Sequence, residues 1–543
     1  MSMEAGQQNN VGVRGERLVK KQIVFGREVK VFADRPKTIT EMLNNSAAKF
    51  PDKEAVVSDK IRMTYKEAKE RIDTISANLQ TQFHLKKGDR IALLLNNCIE
   101  FFLMVFASAQ LGAIVVPLNT KLKEKELTFM LLHSGTKLLV SESDFKGKVD
   151  SIFSKAKLPD LKQVFFVNHE DSKDTKYLPF SVLEKSTPFK NSVQVDETDP
   201  LFIVYTSGTT GTPKGAIGSH IGVIHSAMNY EKILGTNEET KTLIAVPLFH
   251  VTGLIGQMLH IVLVGGTSVI MPRYQTESYI QTAAEEKVTF LFNVPTIYIM
   301  MMSHKLFRQY DFSSVKTIAY GGAPMSYETI YQLRKSFSNA SLQNAYGATE
   351  TSSPTTIMPA SYPDSKIESV GLPVPVADLK IVNEDLEECG PNEVGELLIK
   401  GPMVVEGYWD NDEANRTAFI DGYWISGDMA RMDEEGFVYI MDRKKDMINR
   451  GGEKIFSVEV ENALYNHPSV LEAAVVGVPD PVYGEQVKAF IVKKEGTEVS
   501  AEELKSFLSE RLARYKIPKE IDFISELPRN PGGKVLKNIL TNQ

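Results

Sequence analysis

Cysteine and tryptophan are nearly missing from this chain, with two of each in 543 residues. Cys98 and Cys389 cannot build a disulfide framework or a zinc site, and neither lies in a spacing that marks a nucleophile, so a reducing cytoplasm is the expected compartment. A basic block is also lacking. With 62 Lys and Arg against 69 Asp and Glu the net charge is −7, without the electrostatic footprint of a nucleic-acid binder. Uninterrupted apolar runs are short. The longest stretch, 101–118, is broken by Gln110, Gly112 and Pro117 and becomes β-branched in its second half, so it reads as a buried helix followed by a strand rather than a membrane span. The first 21 residues are polar, lack the apolar centre of a signal peptide, and are expected to form a mobile extension. Internal repeats and low-complexity tracts are absent.

A composition of 42% hydrophobic and 24% charged residues with 36 Gly and 25 Pro excludes disorder and collagen, and the length suggests about three to five folding units. Thr38-Ile-Thr-Glu41 and Thr64-Tyr-Lys-Glu67 read as capping boxes. The first opens a helix with Ile39, Met42, Leu43, Ala47 and Phe50 on one face, the second a helix with Ala68, Ile72, Ile75 and Leu79 inward. Short continuous apolar runs at 91–95, 138–140, 164–167, 201–205, 242–246, 267–271, 288–293 and 315–320 suit strands buried on both faces, and their alternation with helices argues for parallel sheets. From about 369 to 441 the segments shorten and Gly becomes frequent, an antiparallel or barrel-like texture. A polar stretch, Asp442-Arg-Lys-Lys-Asp446, precedes a compact last segment with strands at 471–478 and 487–492 and a helix capped by Ser500 and Glu503.

Tyr205-Thr-Ser-Gly-Thr-Thr-Gly-Thr-Pro-Lys-Gly215 follows one of the apolar strands. Its glycines let backbone N–H groups turn toward an anion, Thr206, Ser207, Thr209 and Thr210 add hydroxyl donors, and Lys214 adds a point charge, the chemistry of a phosphate cradle. It is not a Walker A loop, and taken alone a short Gly/Thr loop is equally an ordinary solvated turn. Thr206 to Gly215, however, closely resembles the signature of the adenylate-forming superfamily, which comprises acyl-CoA synthetases, adenylation domains and luciferases. Further motifs occur in that family's order: Val246-Pro-Leu-Phe-His-Val-Thr-Gly253, Tyr320-Gly-Gly-Ala-Pro324, Asn344-Ala-Tyr-Gly-Ala-Thr-Glu350, Gly395-Glu-Leu, Tyr423-Trp-Ile-Ser-Gly-Asp428, Asp442 to Asp446 and Gly532-Gly-Lys534. The resemblance covers about residues 38–543.

The resemblance implies an α/β protein: a large N-terminal domain (38–441) of two parallel-sheet α/β subdomains plus a distorted β-barrel subdomain, preceded by a polar extension (1–37). A hinge (442–446) and a small mobile α+β C-terminal lid (447–543) complete it. It implies a ligase using ATP, Mg²⁺ and coenzyme A: a carboxylate attacks the α-phosphorus, pyrophosphate leaves, and a thiol then expels AMP. Thr206, Ser207, Gly208, Thr209, Thr210, Gly211 and Lys214 would hold phosphates. Glu350 would ligate Mg²⁺, a hard oxygen for a hard cation, with Thr349 on the α-phosphate. Tyr346, in Asn344-Ala-Tyr-Gly347, would lie against adenine with Gly321, Gly322, Ala323 and Pro324 as the opposite wall, although a lone Tyr is usually a core aromatic. Asp428 would take the ribose diol and Arg443 the ribose or phosphate; outside these motifs they read as a turn Asp and a linker charge. Lys534 would reach between carboxylate and α-phosphate; here Gly532 stands where the family often has Thr. Lys445 matches the hinge pivot, and Gly451 and Gly452 leave room for the pantetheine arm.

His250 by the same resemblance stands at the acyl pocket, with a satisfied core histidine as the equal alternative. No acidic residue lies between Val246 and Met258, which disfavours an α-amino acid, and no carrier motif follows the lid, which favours free CoA. The expected reaction is an acid:CoA ligation on a medium- or long-chain fatty acid, with an aryl acid of benzoate or cinnamate type as runner-up. An adenylating enzyme with another acceptor, a luciferase-like oxygenase and a non-catalytic nucleotide binder share parts of this pattern; the presence of both Lys534 and Glu350 argues against the last. The expected protein is a cytoplasmic monomer or homodimer without a transmembrane segment or nucleic-acid partner.

Overall fold

Both predicted N-terminal helices begin at their caps. In the computed structural model, which describes residues 18–58, 61–168, 177–185, 193–206, 212–529 and 535–541, Thr38 Oγ1 accepts the Glu41 N–H and starts the helix Ile39–Lys49. The reciprocal arm differs from the expected box, because the Glu41 carboxylate takes the N–H of Lys37 rather than that of Thr38. Thr64 and Glu67 form the complete box and open Tyr65–Thr81, whose Ala68, Ile72, Ile75 and Leu79 are buried as the spacing requires. The stretch 101–118 resolves into the helix Ile99–Gln110 and the strand Ile114–Pro117, both buried, and no helix among the described residues is long and apolar enough to cross a membrane.

The expected mobile extension lies outside the described residues over 1–17 and is corrected from residue 18 onward. Within the polar extension 1–37, β1 (Val19–Val24) and β2 (Arg27–Phe32) form an antiparallel hairpin. Its alternation is masked by lysines, yet Val24, Val29 and Val31 point one way and pack on Ile221. That one-sided burial holds the segment in place.

A seven-stranded sheet runs in the order Lys214–Ser219, Pro200–Thr206, Ile114–Pro117, Arg90–Leu94, Thr136–Glu142, Gln163–Val167, Leu178–Pro179. All its pairings are parallel except that of β3 (Pro200–Thr206) with β4 (Lys214–Ser219), which are joined by the glycine-rich loop. From β4 the chain enters α1 (His220–Leu234), capped by Ser219 and ended by Gly235 in the left-handed region. The nine-stranded second sheet has a parallel centre that includes β5 (Thr317–Gly321) and β6 (Ser341–Ala348), and β7 (Ser353–Ile357) returns antiparallel beside β6. A third, antiparallel sheet contains Asp378–Val382, Gly395–Lys400, Phe419–Ile420, β8 (Tyr423–Met432) and β9 (Val438–Arg443), the half-barrel read from the glycine-rich texture. The two sheets meet just before it, where Gly371 bridges Val438 on β9 and Leu372–Pro373 pairs with β7.

The C-terminal unit is α+β. Val470–Asp480 and Gly484–Lys493 form a long hairpin, flanked by Ile448–Arg450 and Glu520–Phe523 and covered by α2 (Ser457–Tyr465) and the helix Ala501–Ser509. A short helix, α3 (Lys537–Thr541), packs near its end. Ligand sites in open parallel sheets lie beyond the carboxyl ends of strands, and here β3, β5 and β6 end in the three glycine-bearing motifs.

Candidate active site

The base of the phosphate loop is fixed by the β3–β4 ladder, in which Thr206 faces Lys214 and Tyr205 faces Gly215. A Cβ on Gly215 would lie 2.7 Å from the Ile203 side chain and 3.3 Å from the Tyr205 ring, so glycine is needed for the two strands to close. Ser207, Gly208, Thr209, Thr210 and Gly211 lie outside the described residues, as does Lys534. The described flanks already carry chemistry. Thr206 Oγ1 points to the Glu350 carboxylate at 3.5 Å, and Lys214 Nζ lies 5.4 Å from the centroid of Tyr408.

Glu350 sits in the tight turn between β6 and β7, next to Thr349, whose carbonyl accepts the Ser352 N–H. The turn demands the preceding glycine, because a Cβ on Gly347 would run into the carbonyl of Ser353. The Glu350 carboxylate accepts from Tyr408 Oη at 3.0 Å, and its main-chain oxygen accepts the Val405 N–H at 2.9 Å. Burial pushes its carboxyl above the ordinary value, while hydrogen bonds from its own backbone, Tyr408 and Thr206 and the field of Arg443 pull the other way. A desolvated carboxylate held by two hydroxyls, with no ion-pair partner among the described residues, suits a divalent cation. Among the described residues no group of three or more His, Cys, Asp or Glu is placed to hold a metal, so a cation at Glu350 would complete its shell with substrate and water oxygens, which fits Mg²⁺.

A second cluster forms across two sheets. Tyr346 on β6 donates to Asp428 Oδ2 at 2.5 Å, and Arg443 Nε meets Asp428 Oδ1 at 2.6 Å. Asp428 and Arg443 are ladder partners on β8 and β9, and the Ser426 hydroxyl accepts the Asp428 N–H. Burial and then Asp428 push the Tyr346 phenol well above its ordinary value, so it stays a donor. Burial works against the charge of Arg443, yet Asp428, Tyr346 and Glu350 hold its pKa above the usual one. Gly321 faces Ala345 in the β5–β6 ladder, and a Cβ there would meet the Ala345 carbonyl. Gly322, with φ of +77°, turns the chain so that Gly322, Ala323 and Pro324 stand exposed at the rim. The main-chain carbonyl of Asn344 accepts the Met358 N–H, and its side-chain amide lies 3.5 Å from the Ser369 carbonyl.

His250 ends the loop after the strand Lys241–Ile244. Burial lowers its pKa to about 4, helped by Lys121, so the ring is neutral, and its buried Nε2 has no hydrogen-bond partner among the described residues. Behind it, Thr252–Leu259 is π-helical, a geometry enriched at functional sites. Gly253 allows that turn to lie on the loop, where a Cβ would come 2.7 Å from the Pro247 carbonyl, and Gly256 lies against Phe292.

Lys445 is exposed in the turn after β9, where Asp446 and Met447 N–H groups close on the Arg443 carbonyl. Gly451 and Gly452 occupy the left-handed region at φ of +61° and +96° and bond to Tyr483 and Asn449. Thr206, Lys214 and Glu350 thus gather around one point, and Tyr346, Asp428 and Arg443 around an adjoining one, whereas Lys445, Gly451 and Gly452 belong to the junction and the C-terminal sheet. Sequence reasoning missed two residues. Tyr408 follows Gly407 beyond the Gly395-Glu-Leu run, and only the fold aims its hydroxyl at Glu350. Asn97 donates to the carbonyls of Ile244, Val246 and Met271 and accepts the Leu248 N–H, fixing the loop that ends in His250; no local pattern marks it.

Known proteins share the sequence and the fold of this chain. The family model described as AMP-binding enzyme matches residues 43–409, and the AMP-binding enzyme C-terminal domain matches 459–534. A long-chain-fatty-acid–CoA ligase of Bacillus subtilis is 34% identical over 93% of this chain and 94% of the relative. A feruloyl-CoA synthase of Amycolatopsis is 33% identical over 88% and 92%. Among solved structures, an anthranilate CoA ligase in complex with anthranoyl-AMP superposes with a TM-score of 0.87 at 26% identity, covering 93% of this chain and 96% of that one. The o-succinylbenzoate CoA synthetase of Bacillus subtilis in complex with its acyl-adenylate intermediate gives 0.81 at 30% identity, covering 93% and 98%.

Proposed function

Since this chain belongs to the AMP-binding enzyme family, as an AMP-forming acid–CoA ligase working through an acyl adenylate, we propose that the acid it activates is a medium- or long-chain fatty acid. The observation that carries this choice is the wall behind His250. Residues 251–259 are buried or half-buried and bear no charge, so an acyl chain loses no hydration of ionised groups on lying along them. An α-amino acid would need a carboxylate there for its ammonium, and none is present between Val246 and Met258. The 34% identity to a long-chain-fatty-acid–CoA ligase supports the same reading. An aryl acid is the second reading, favoured by the 33% identity to a feruloyl-CoA synthase.

In this reading the residues divide the work by charge. The loop 206–211 and Lys214 bind the phosphates, where negative charge gathers as pyrophosphate leaves. Glu350 would hold Mg²⁺, which would neutralise phosphate charge, and Thr349 steadies the α-phosphate. Tyr346 and the Gly321–Pro324 rim enclose adenine, while Asp428, oriented by Ser426, Tyr346 and Arg443, accepts from the ribose hydroxyls. Lys534 bridges the carboxylate and the α-phosphate. Neutral His250 offers its buried nitrogen to the reacting carboxyl or to the incoming thiol. The C-terminal unit then turns about Lys445, and Gly451 and Gly452 make room for the pantetheine arm of CoA. The cytoplasm is the proposed compartment, in keeping with two free cysteines.

The test is AMP and pyrophosphate release with MgATP over fatty acids from short to long, aryl acids, dicarboxylic acids and amino acids, with and without CoA. CoA-dependent AMP release and thioester are expected to be greatest with a medium- or long-chain fatty acid and to vanish in Lys534→Ala. A benzoate or cinnamate outpacing every fatty acid would replace the fatty-acid reading with the aryl one, and a preference for an amino acid would defeat both.

A further inference from the structure

The β1–β2 hairpin lies outside the part of the chain that the family model matches, which starts at residue 43. It is nevertheless anchored from three sides. Arg35, with a fully buried side chain, pairs with Glu197 at 2.8 Å and also donates to Gln22 and the Phe32 carbonyl. Phe32 N–H donates to His225 Nε2 at 3.1 Å, and the valines pack on Ile221. Glu197 precedes β3, and Ile221 and His225 lie on α1, which follows β4, so the hairpin is seated on the two elements that bracket the phosphate loop.

From this seat Arg27 reaches across to the half-barrel. Its two terminal nitrogens donate to consecutive carbonyls, Val405 at 3.0 Å and Glu406 at 2.9 Å, and its guanidinium lies 4.7 Å from the centroid of Phe419. The loop so gripped does three things at its inner face. Val405 N–H donates to the Glu350 main chain, Tyr408 Oη donates to the Glu350 carboxylate, and Gly407 and Trp409 exchange backbone hydrogen bonds with β4 through Ile217 and Gly215. Charge-assisted bonds to two successive carbonyls fix a loop's path more tightly than neutral ones.

We propose that Arg27 is a positioning residue of the nucleotide site: by holding the outer carbonyls of Val405 and Glu406 it sets Tyr408, and through Tyr408 the carboxylate of Glu350, for MgATP. This rests on the reading of Glu350 as the group that meets the metal-bound phosphates. Asp428, Tyr346 and Arg443 receive no hydrogen bond from Arg27, whose donors go to Val405 and Glu406. The role of Arg27 therefore separates MgATP, which needs Glu350, from AMP, which needs the ribose and adenine contacts.

The experiment compares Arg27→Ala, Arg27→Lys and a hairpin control, Lys21→Ala, which removes the exposed Lys21–Glu28 pair, with the parent protein. Equilibrium binding of MgATP and of AMP, thermal midpoints, and kcat and KM for ATP, acid and CoA are measured. Arg27→Ala is expected to weaken MgATP and to lower kcat by roughly tenfold each, below the roughly hundredfold that a 1 Å misplacement remote from the chemistry can cost. AMP affinity and the KM values for acid and CoA should stay at the parent level, Arg27→Lys should recover part of the loss through one donor, and Lys21→Ala should match the parent. Unchanged MgATP affinity in Arg27→Ala would overturn the proposal. So would an equal fall in MgATP and AMP affinity with a lowered thermal midpoint, which would make Arg27 a general support of the fold. If the parent itself released no CoA-dependent AMP with any acid, the ligase assignment would fail, while the MgATP and AMP affinities would still decide the role of Arg27.

Discussion

The Tyr408 hydroxyl donates to the Glu350 carboxylate across 58 residues of sequence, while Lys214 lies over the same tyrosine ring. One side chain thereby touches both the cation of the phosphate loop and the carboxylate assigned to the metal. It belongs to neither motif, and it reaches them because Trp409 and Gly407 run beside β4.

Tyr408→Phe keeps the ring under Lys214 and removes only the donor. Burial already raises the Glu350 pKa and the Tyr408 bond opposes that rise, so its loss moves the pKa further up. The acid limb of the pH profile of adenylation is expected to shift to higher pH, with kcat/KM for ATP reduced roughly tenfold near neutral pH, as for a lost hydrogen bond to a charged group. Pyrophosphate release measured against pH checks both effects.

At the junction of the domains, Asp442 accepts from the Ser457 N–H and hydroxyl, and Lys537 on α3 reaches Ser457 and pairs with Glu461 at 2.7 Å. Burial raises the pKa of both Asp442 and Glu461, and Lys537 opposes it in each. Lys537→Met leaves two buried carboxylates without their cation, at a cost of about 3 kcal/mol. Both folded-state pKa values then rise further above the unfolded ones, so the native state binds more protons and stability falls as pH rises through that window. The urea midpoint of the variant should therefore drop more steeply than that of the parent as pH rises out of the ordinary carboxylate range, about 4.

His220, His225, His250 and His260 are each lowered to about 4, burial being the largest cause in all of them. Their folded pKa lies below the unfolded value of 6.5, so they contribute stability at neutral pH that is lost as pH falls from about 6.5 to about 4, up to roughly 3 kcal/mol per ring. His225→Gln keeps an acceptor for the Phe32 N–H without the titration. Its thermal midpoint is expected to decline less than that of the parent over this range; an identical slope would show that His225 does not report the protonation of the hairpin seat.

Much of the architecture could be read in advance because local signals agreed with burial. Thr38 and Thr64 cap their helices, and the apolar runs became strands within a residue or two of their expected ends, since central parallel strands are covered on both faces and show as continuous hydrophobic stretches. The motifs likewise fell at strand ends, where glycine is forced by the approach of another backbone, as at Gly321 and Gly347. The hairpin 19–32 was misread because lysines alternate with its valines, and an alternating edge segment reads as polar until a surface is found for its apolar side.

By itself the sequence determined the class of the protein: cradle, tyrosine, carboxylate, aspartate and lysine occur in one order along the chain, and a strand's burial and a glycine's close approach leave local marks. Only the tertiary structure decided which residues stand behind them. Arg27, Asn97, Tyr408 and Ser457 act on partners 15 to 379 residues away through hydrogen bonds. Such bonds need no spacing in the chain, only a fold that carries a donor to within 3 Å or so of an acceptor.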